Sequence, residues 1–79
     1  MIVLTNQGNL ITGVTSDSVV NHLRQSGFMG FAMSRKRYMQ CVALWIKRRD
    51  KYLIRIDTSD HFLLDMDRNG YLSIRLADS

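Results

Sequence analysis

The feature that most constrains this chain is its single cysteine, Cys41, among 79 residues. One cysteine excludes an intrachain disulfide, and His22 and His61 are the only histidines, so Cys and His together cannot supply the four ligands of a structural zinc site. A domain of this length must then fold on its hydrophobic core alone, which is often marginal for short chains. We predict one domain over residues 1–79, with homodimerisation as an alternative source of stability.

Cysteine usage and hydropathy both indicate the cytoplasm. A lone cysteine in apolar surroundings is typical of a buried, unreactive thiol in a reducing compartment. The longest uninterrupted apolar run, residues 41–46, is far shorter than the roughly 20 residues that a membrane span needs. Met1 is followed directly by an apolar run, without a basic segment or a small-residue cleavage site. We therefore expect a cytoplasmic protein with no membrane partner.

Charge is distributed unevenly along the chain. The formal net charge is +4, yet residues 35–55 carry eight lysines and arginines against Asp50 alone. Residues 56–79 carry five aspartates against two arginines. A basic block followed by an acidic one indicates either an anionic partner or head-to-tail pairing between copies of the chain.

Turn and cap residues divide the sequence into seven predicted elements. Two β-rich runs, residues 1–5 and 10–15, flank a four-residue turn and predict a hairpin. A short helix over residues 16–26 follows and ends at Gly27. After a second helix, three runs alternate between apolar and polar side chains and predict a meander of antiparallel strands. These runs are residues 52–57, 62–67 and 72–76.

Residues 35–49 predict the second helix, which begins after Ser34. With Tyr38 at zero and about 100° per residue, apolar side chains cover an arc from about 300° through zero to about 140°. Cys41 and Trp45 fall within this arc, so we expect both to be buried. The opposite arc is basic, and Leu44 is its one interior apolar residue. The predicted basic face comprises Lys36, Arg37, Gln40, Lys47 and Arg48. A strand buried on both faces is the alternative to this helix.

The predicted element order is β-β-α-α-β-β-β. We therefore predict the α+β class, as a small two-layer domain in which two helices pack on an antiparallel sheet. The sheet is expected to end in a C-terminal three-stranded meander.

Residues 65–73 read Asp-Met-Asp-Arg-Asn-Gly-Tyr-Leu-Ser and form the sharpest motif of the sequence. The motif resembles the calcium loop of the EF-hand family. The resemblance implies that the ligands are Asp65, Asp67, Asn69, the Tyr71 carbonyl and Ser73, with Gly70 at the sharp turn. Leu76 stands where the family has a bidentate glutamate. A hairpin turn and a weak calcium-binding module are the two interpretations of this motif.

The residue types of catalytic centres are scattered along the chain. Nucleophilic hydrolysis needs a serine or cysteine beside a positioned histidine, but His22 falls on the first helix and His61 in an aspartate-rich turn. The glycine spacing matches neither a phosphate loop nor a dinucleotide-binding turn. We therefore predict a protein that is not an enzyme, with no catalytic residues, no cofactor and no metal ligands.

Two functions fit the concentration of basic residues. The leading prediction is a regulatory or inhibitor-type protein, such as a phage or other mobile element would carry, that docks on an acidic surface of a protein or nucleoprotein complex. The alternative is a direct nucleic-acid-binding protein that neutralises phosphates with the same face. The expected burial of Trp45 leaves no aromatic ring among the cations, which argues against stacking of single strands. The predicted partner-binding residues are Arg35, Lys36, Arg37, Gln40, Lys47, Arg48, Arg49 and Lys51.

Overall fold

The computed structural model of the protein describes residues 1–30 and 32–75. Within these residues it contains three helices and one antiparallel sheet of three strands, which confirms the predicted α+β class. The elements are β1 (Ile2–Thr5), β2 (Leu10–Thr12), α1 (Ser16–Ser26), α2 (Arg35–Asp50), α3 (Ser59–Arg68) and β3 (Leu72–Arg75). None of the helices in this part of the chain combines the length and the apolar content needed to cross a bilayer.

The sheet has β1 at its centre, in the order β2-β1-β3. Val3 is fully buried and lies opposite Ile11 on β2 and Ile74 on β3. The β1–β2 hairpin is therefore present as predicted. Gly8 makes its turn possible, because its φ of +89° lies in the left-handed region that side chains disfavour.

The predicted C-terminal meander is wrong. Residues 52–57 form no strand, and residues 62–67 belong to α3 instead of a strand, so the order is β-β-α-α-α-β. Thr58 caps α3 by accepting a hydrogen bond from the His61 N–H at 3.1 Å. Phe62, Leu63 and Met66 are then buried on one helical face, whereas strand alternation would have exposed Leu63.

The third predicted strand is present as β3, but its partner is β1 and not a preceding meander strand. Its predicted last residue, Leu76, lies outside the described residues. The sheet therefore joins the first residues of the chain to the last described ones, because β1 pairs with β3.

Residues 65–73 form neither a hairpin nor an extended calcium loop. Asp65 to Arg68 are the last residues of α3, Asn69 is its cap, and Gly70 turns the chain into β3 with a φ of +83°. The Asp65 carboxylate accepts hydrogen bonds from the Arg55 guanidinium at 2.9 and 3.0 Å and from the Arg55 backbone N–H at 2.8 Å. The first oxygen ligand that the EF-hand resemblance implied is thus bound to an arginine.

The helix predicted for residues 35–49 is confirmed as α2, with Ser34 as its N-cap. Tyr38 joins α2 to the core through both its hydroxyl and its ring. Its hydroxyl donates a hydrogen bond to the Phe28 carbonyl at 2.5 Å, and its ring meets the Phe62 ring edge-on at 6.3 Å between centroids. Burial raises the pKa of the Tyr38 hydroxyl well above its usual range. The residues of α2 that are buried are Tyr38, Met39, Val42 and Ile46.

The buried face of α2 is narrower than the sequence predicts. Cys41 is exposed and 45% of Trp45 is exposed, so the prediction that both are buried is wrong. Both residues lie between about 300° and 340° on the helical wheel, just beyond Tyr38, and the small core ends there. The Arg49 guanidinium lies over the exposed Trp45 ring, 4.6 Å from its centroid.

Two neighbouring residues of α2 test this boundary. Ile46 is fully buried, so Ile46→Ala should lower the free energy of unfolding by about 2–5 kcal/mol. Trp45→Ala should lower it by less than half as much, because the ring keeps much of its water contact and its cation–π pair is worth only about 0.5–1 kcal/mol. Urea unfolding measures both values. A larger loss for Trp45→Ala than for Ile46→Ala would place Trp45 in the core.

Acid titration tests the bond between Asp65 and Arg55. The hydrogen bonds and charge of Arg55 lower the pKa of Asp65 in the folded state. A lowered folded-state pKa stabilises the protein above the unfolded value of about 3.9, and this contribution is lost as the pH falls through the folded value. Asp65→Asn should therefore be less stable than the wild type at pH 7 and should lose less stability on acidification. If the free energy of unfolding fell equally with pH in the two proteins, this prediction would be wrong.

Candidate functional site

The structure places six of the eight predicted partner-binding residues on the solvent side of α2 and at its C-cap. The buried residues of α2 lie between Tyr38 at zero and Met39 at about 100° on the helical wheel. Its exposed residues lie between about 160° and 340°, apart from Arg49 at about 20°. Lys51 follows as the C-cap, in a left-handed conformation with a φ of +66°. We call this surface the cationic face. Its residues are Lys36, Arg37, Gln40, Lys47, Arg48 and Lys51, all of them exposed.

Two of the predicted site residues lie elsewhere. The Arg35 guanidinium points to α1, where its Nε is 3.7 Å from a carboxylate oxygen of Asp17. The Arg49 guanidinium covers Trp45 and is 3.4 Å from Asp50. Six of the eight predicted residues therefore share one surface. The other two, Arg35 and Arg49, contact neighbouring side chains of the protein.

The described part of the protein does not neutralise the charge of the cationic face. Among residues 1–30 and 32–75, none of its lysines or arginines forms an ion pair. Asp50 is the one acidic residue of α2, and it accepts a hydrogen bond from the buried Tyr71 hydroxyl. Burial and this carboxylate raise the pKa of Tyr71 to about 12. The positive potential of the face is therefore available to another molecule.

The first turn of α2 carries positive charge where a helix favours negative charge. Lys36 and Arg37 lie at the positive end of the helix dipole, and no acidic residue accompanies them in that turn. Such a placement destabilises a helix by about 0.3–1 kcal/mol for each charge at low ionic strength. Ser34 partly offsets this, because its side chain accepts a hydrogen bond from the Arg37 N–H at 3.2 Å. Lys47 and Arg48, at the opposite end of α2, gain from the same dipole.

An apolar surface adjoins the cationic face, and the sequence did not predict it. Leu44 lies among the cations and is 51% exposed, and Leu53, in the segment after α2, is 74% exposed. Two hollows lie between α2 and this segment, with volumes of about 290 and 390 Å³. Both are lined by Leu44, Leu53 and Lys47, so they form one continuous depression, which we call the α2 groove. The one sequence signal for it was Leu44 within the basic arc.

Three contacts fix the segment that forms the second wall of the α2 groove. The N–H of Lys51 donates to the carbonyls of Ile46 and Lys47, both at 3.2 Å, and this reverses the chain after α2. Ile54 is then buried in the core. Arg55 is held to α3 by Asp65. The groove therefore has two fixed walls, one helical and one formed by residues 52–56, which have no regular secondary structure.

A polar hollow of about 420 Å³ lies where α1 and α3 begin. Each helix starts with the same tripeptide, Thr-Ser-Asp, at residues 15–17 and 58–60. The Ser59 hydroxyl donates to Asp17 at 2.5 Å, and the Ser16 hydroxyl donates to Asp60. Because the two tripeptides bond reciprocally, we assign this hollow a structural role in joining the helix ends.

No protein-family model, no curated protein and no solved structure matches this chain. Its function must therefore be inferred from the chemistry of the cationic face and the α2 groove.

The two ends of the cationic face should respond oppositely to charge reversal. Replacing Lys36 and Arg37 by Glu should raise the free energy of unfolding by about 0.3–1 kcal/mol per residue, because it removes the conflict with the helix dipole. Replacing Lys47 and Arg48 by Glu should lower it by a similar amount. Both pairs change the net charge equally, so each is the control for the other. Urea unfolding at low salt measures the difference, which should shrink in high salt. If both double variants changed the free energy of unfolding equally and in the same direction, the helix dipole would not explain the effect.

Proposed function

We propose that this protein is a small regulatory or inhibitor-type protein without catalytic activity. It docks through the cationic face on an acidic surface of a larger protein or nucleoprotein partner in the cytoplasm. One observation carries the proposal. Cations that form no ion pair with the described residues lie beside exposed apolar side chains on one side of α2.

The energetics of α2 support a binding role for the cations. A helix face that served solubility alone would be more stable with acidic residues at its first turn, yet Lys36 and Arg37 occupy it. Their interaction with the helix dipole is unfavourable for folding, and a role in binding is consistent with their placement. Electrostatic attraction to an acidic partner would supply it, because complementary charges steer encounter and select partners.

The apolar part of the surface favours a protein over a nucleic acid as partner. Protein interfaces combine a desolvated apolar centre with a polar rim. Leu44 and Leu53 lie exposed between Gln40 and the cations Lys47 and Arg48, which reproduces that arrangement. Contacts to a phosphate backbone use charge and hydrogen bonds and gain nothing from exposed leucines.

Trp45 supports direct nucleic-acid binding as a second candidate function. Its ring is exposed at the edge of the cationic face, with Arg49 stacked on it. An aromatic ring beside cations is the combination that stacks bases of single strands. Such binding would weaken with salt, with a log–log slope of about 0.7 for each phosphate neutralised on a single strand.

Charge reversal with a matched control tests the proposed docking. We expect the Lys47→Glu/Arg48→Glu protein to lose a partner that the wild type captures from a lysate of its source cells. Arg68→Glu/Arg75→Glu should keep that partner, because these exposed arginines lie on α3 and β3. Each double reversal replaces two positive charges by two negative ones, so both double variants have the same formal net charge. Captured proteins are identified by mass spectrometry, with and without nuclease treatment.

The results of this capture separate the two candidate functions. Loss of a protein partner in the first variant alone, resistant to nuclease, supports docking on a protein. Equal capture by both variants would show that the cationic face is not the binding site. Retention of nucleic acid alone, with the salt slope given above, would establish the second candidate function instead.

A further inference from the structure

We infer that the α2 groove binds one acidic amphipathic helix of the partner protein. Its apolar side chains would cover Leu44 and Leu53, and its carboxylates would meet Lys47, Arg48 and Lys51. This inference rests on the proposed function and specifies the chemistry of the segment that the partner presents.

The apolar lining of the α2 groove suits apolar anchors. Leu44 and Leu53 are about half and three-quarters exposed, and Ile56 and Tyr52 border the same depression. Covering such side chains with another apolar surface is favourable by about 25 cal/mol for each Å² removed from water. Two adjoining hollows of about 290 and 390 Å³ offer places for two successive anchors.

The rim of the groove specifies the charge of the occupant. Lys47 and Arg48 lie three and four residues after Leu44, on the same side of α2, and Lys51 comes one turn after Lys47. Among the described residues, the larger hollow is lined by these three cations and the two leucines. A segment that fills it must place negative charge within reach of all three cations.

The spacing of these groups favours a helix as occupant. The rim residues of α2 recur at one helical turn, about 5.4 Å along the axis. A second helix lying alongside presents its side chains at the same interval, with anchors at i, i+4 and i+7. From Gln40 to Lys51 the α2 wall is about 16 Å long, which accommodates about three turns of a partner helix.

The groove is already formed in the free protein. The Lys51 cap, the burial of Ile54 and the Arg55–Asp65 ion pair hold residues 51–55 beside α2. A preformed groove avoids the free-energy cost of ordering a loop on binding. The α2 groove therefore does not need its partner to take its shape.

A second copy of the chain is a poor occupant. Within residues 1–30 and 32–75, the aspartates that come after α2 are engaged internally: Asp57 lies 2.9 Å from the His61 ring, Asp65 binds Arg55, Asp60 accepts from Ser16, and Asp67 accepts from the Ile74 N–H at 3.4 Å. A copy would have to break these contacts to offer its carboxylates, and it would bring its own cationic face. The acidic segment therefore comes from a different protein.

A pair of model peptides tests the inference on the full-length protein. One is a labelled peptide of about 20 residues, rich in Glu and Ala, with Leu at i, i+4 and i+7. The other has the same composition in scrambled order, without an apolar face. Fluorescence anisotropy should show that the patterned peptide binds at least about tenfold more tightly than the scrambled one. Equal affinities would overturn the groove inference without any substitution in the protein.

Variants of the groove locate the binding. Leu44→Gln/Leu53→Ser should abolish the preference for the patterned peptide, whereas Leu10→Ser/Val14→Ser, which alters exposed residues of the hairpin side, should keep it. All four side chains are exposed, so circular dichroism should show native folding in both variants. A preference that survives in Leu44→Gln/Leu53→Ser would overturn the inference and leave the proposed function standing.

The charge-reversal variant separates the inference from the proposed function. Lys47→Glu/Arg48→Glu should weaken the binding of both acidic peptides, by at least about tenfold for the patterned one. Unchanged binding of both peptides would overturn the proposed function together with the inference. A single-stranded oligonucleotide that binds more tightly than either peptide, and equally well to Leu44→Gln/Leu53→Ser, would favour nucleic acid and overturn the inference.

Discussion

The orientation of α2 depends on the burial of Tyr38. Its hydroxyl satisfies the Phe28 carbonyl, its ring packs against Phe62, and Val42 and Ile46 continue the buried stripe one and two turns later. Rolling α2 by one residue would withdraw the hydroxyl from its acceptor inside the protein, which leaves a buried polar group unsatisfied at a cost of about 1–3 kcal/mol. The same anchor that holds α2 to the core therefore directs the cationic face to solvent.

A small core explains why α2 has so much free surface. The described residues bury only one arc of a 16-residue helix, and the remaining turn includes both cations and apolar side chains. The α2 groove forms because the left-handed Lys51 reverses the chain and Asp65 holds Arg55, so that Leu53 comes to lie beside Leu44. The proposed binding surface is thus the part of α2 that the small core leaves exposed.

Local patterns predicted the parts of the fold that local interactions determine. The β1–β2 hairpin, α1 and α2 are consistent with turn residues, caps and a period of 3.6, and the structure contains all three. Residues 62–67 were predicted wrongly because Phe62 and Met66 fit both a strand and a helical face. The Thr58 cap and the pairing of Asp65 with Arg55 favour the helix, and that pairing joins residues ten apart, which no local period reveals.

The candidate site was predictable in its charge but not in its shape. The basic arc of α2 could be read from the sequence, whereas the width of the buried arc could not, because it depends on how much of the protein packs against α2. For this reason Cys41 and Trp45 were assigned to the interior and are exposed. The α2 groove was missed because its second wall, residues 52–56, was predicted as a strand of the sheet.

Photo-cross-linking from Cys41 tests the central claim, that the exposed side of α2 meets a protein partner, most directly. Cys41 is the only cysteine and lies exposed beside the cationic face, so a thiol-linked photo-cross-linker placed there samples that surface. The control places the same reagent at Leu10→Cys in a Cys41→Ser background. We predict that irradiation in a source-cell lysate yields a defined protein adduct from Cys41 and not from the control position. Identical adducts from both positions, or adducts to nucleic acid alone, would contradict the account.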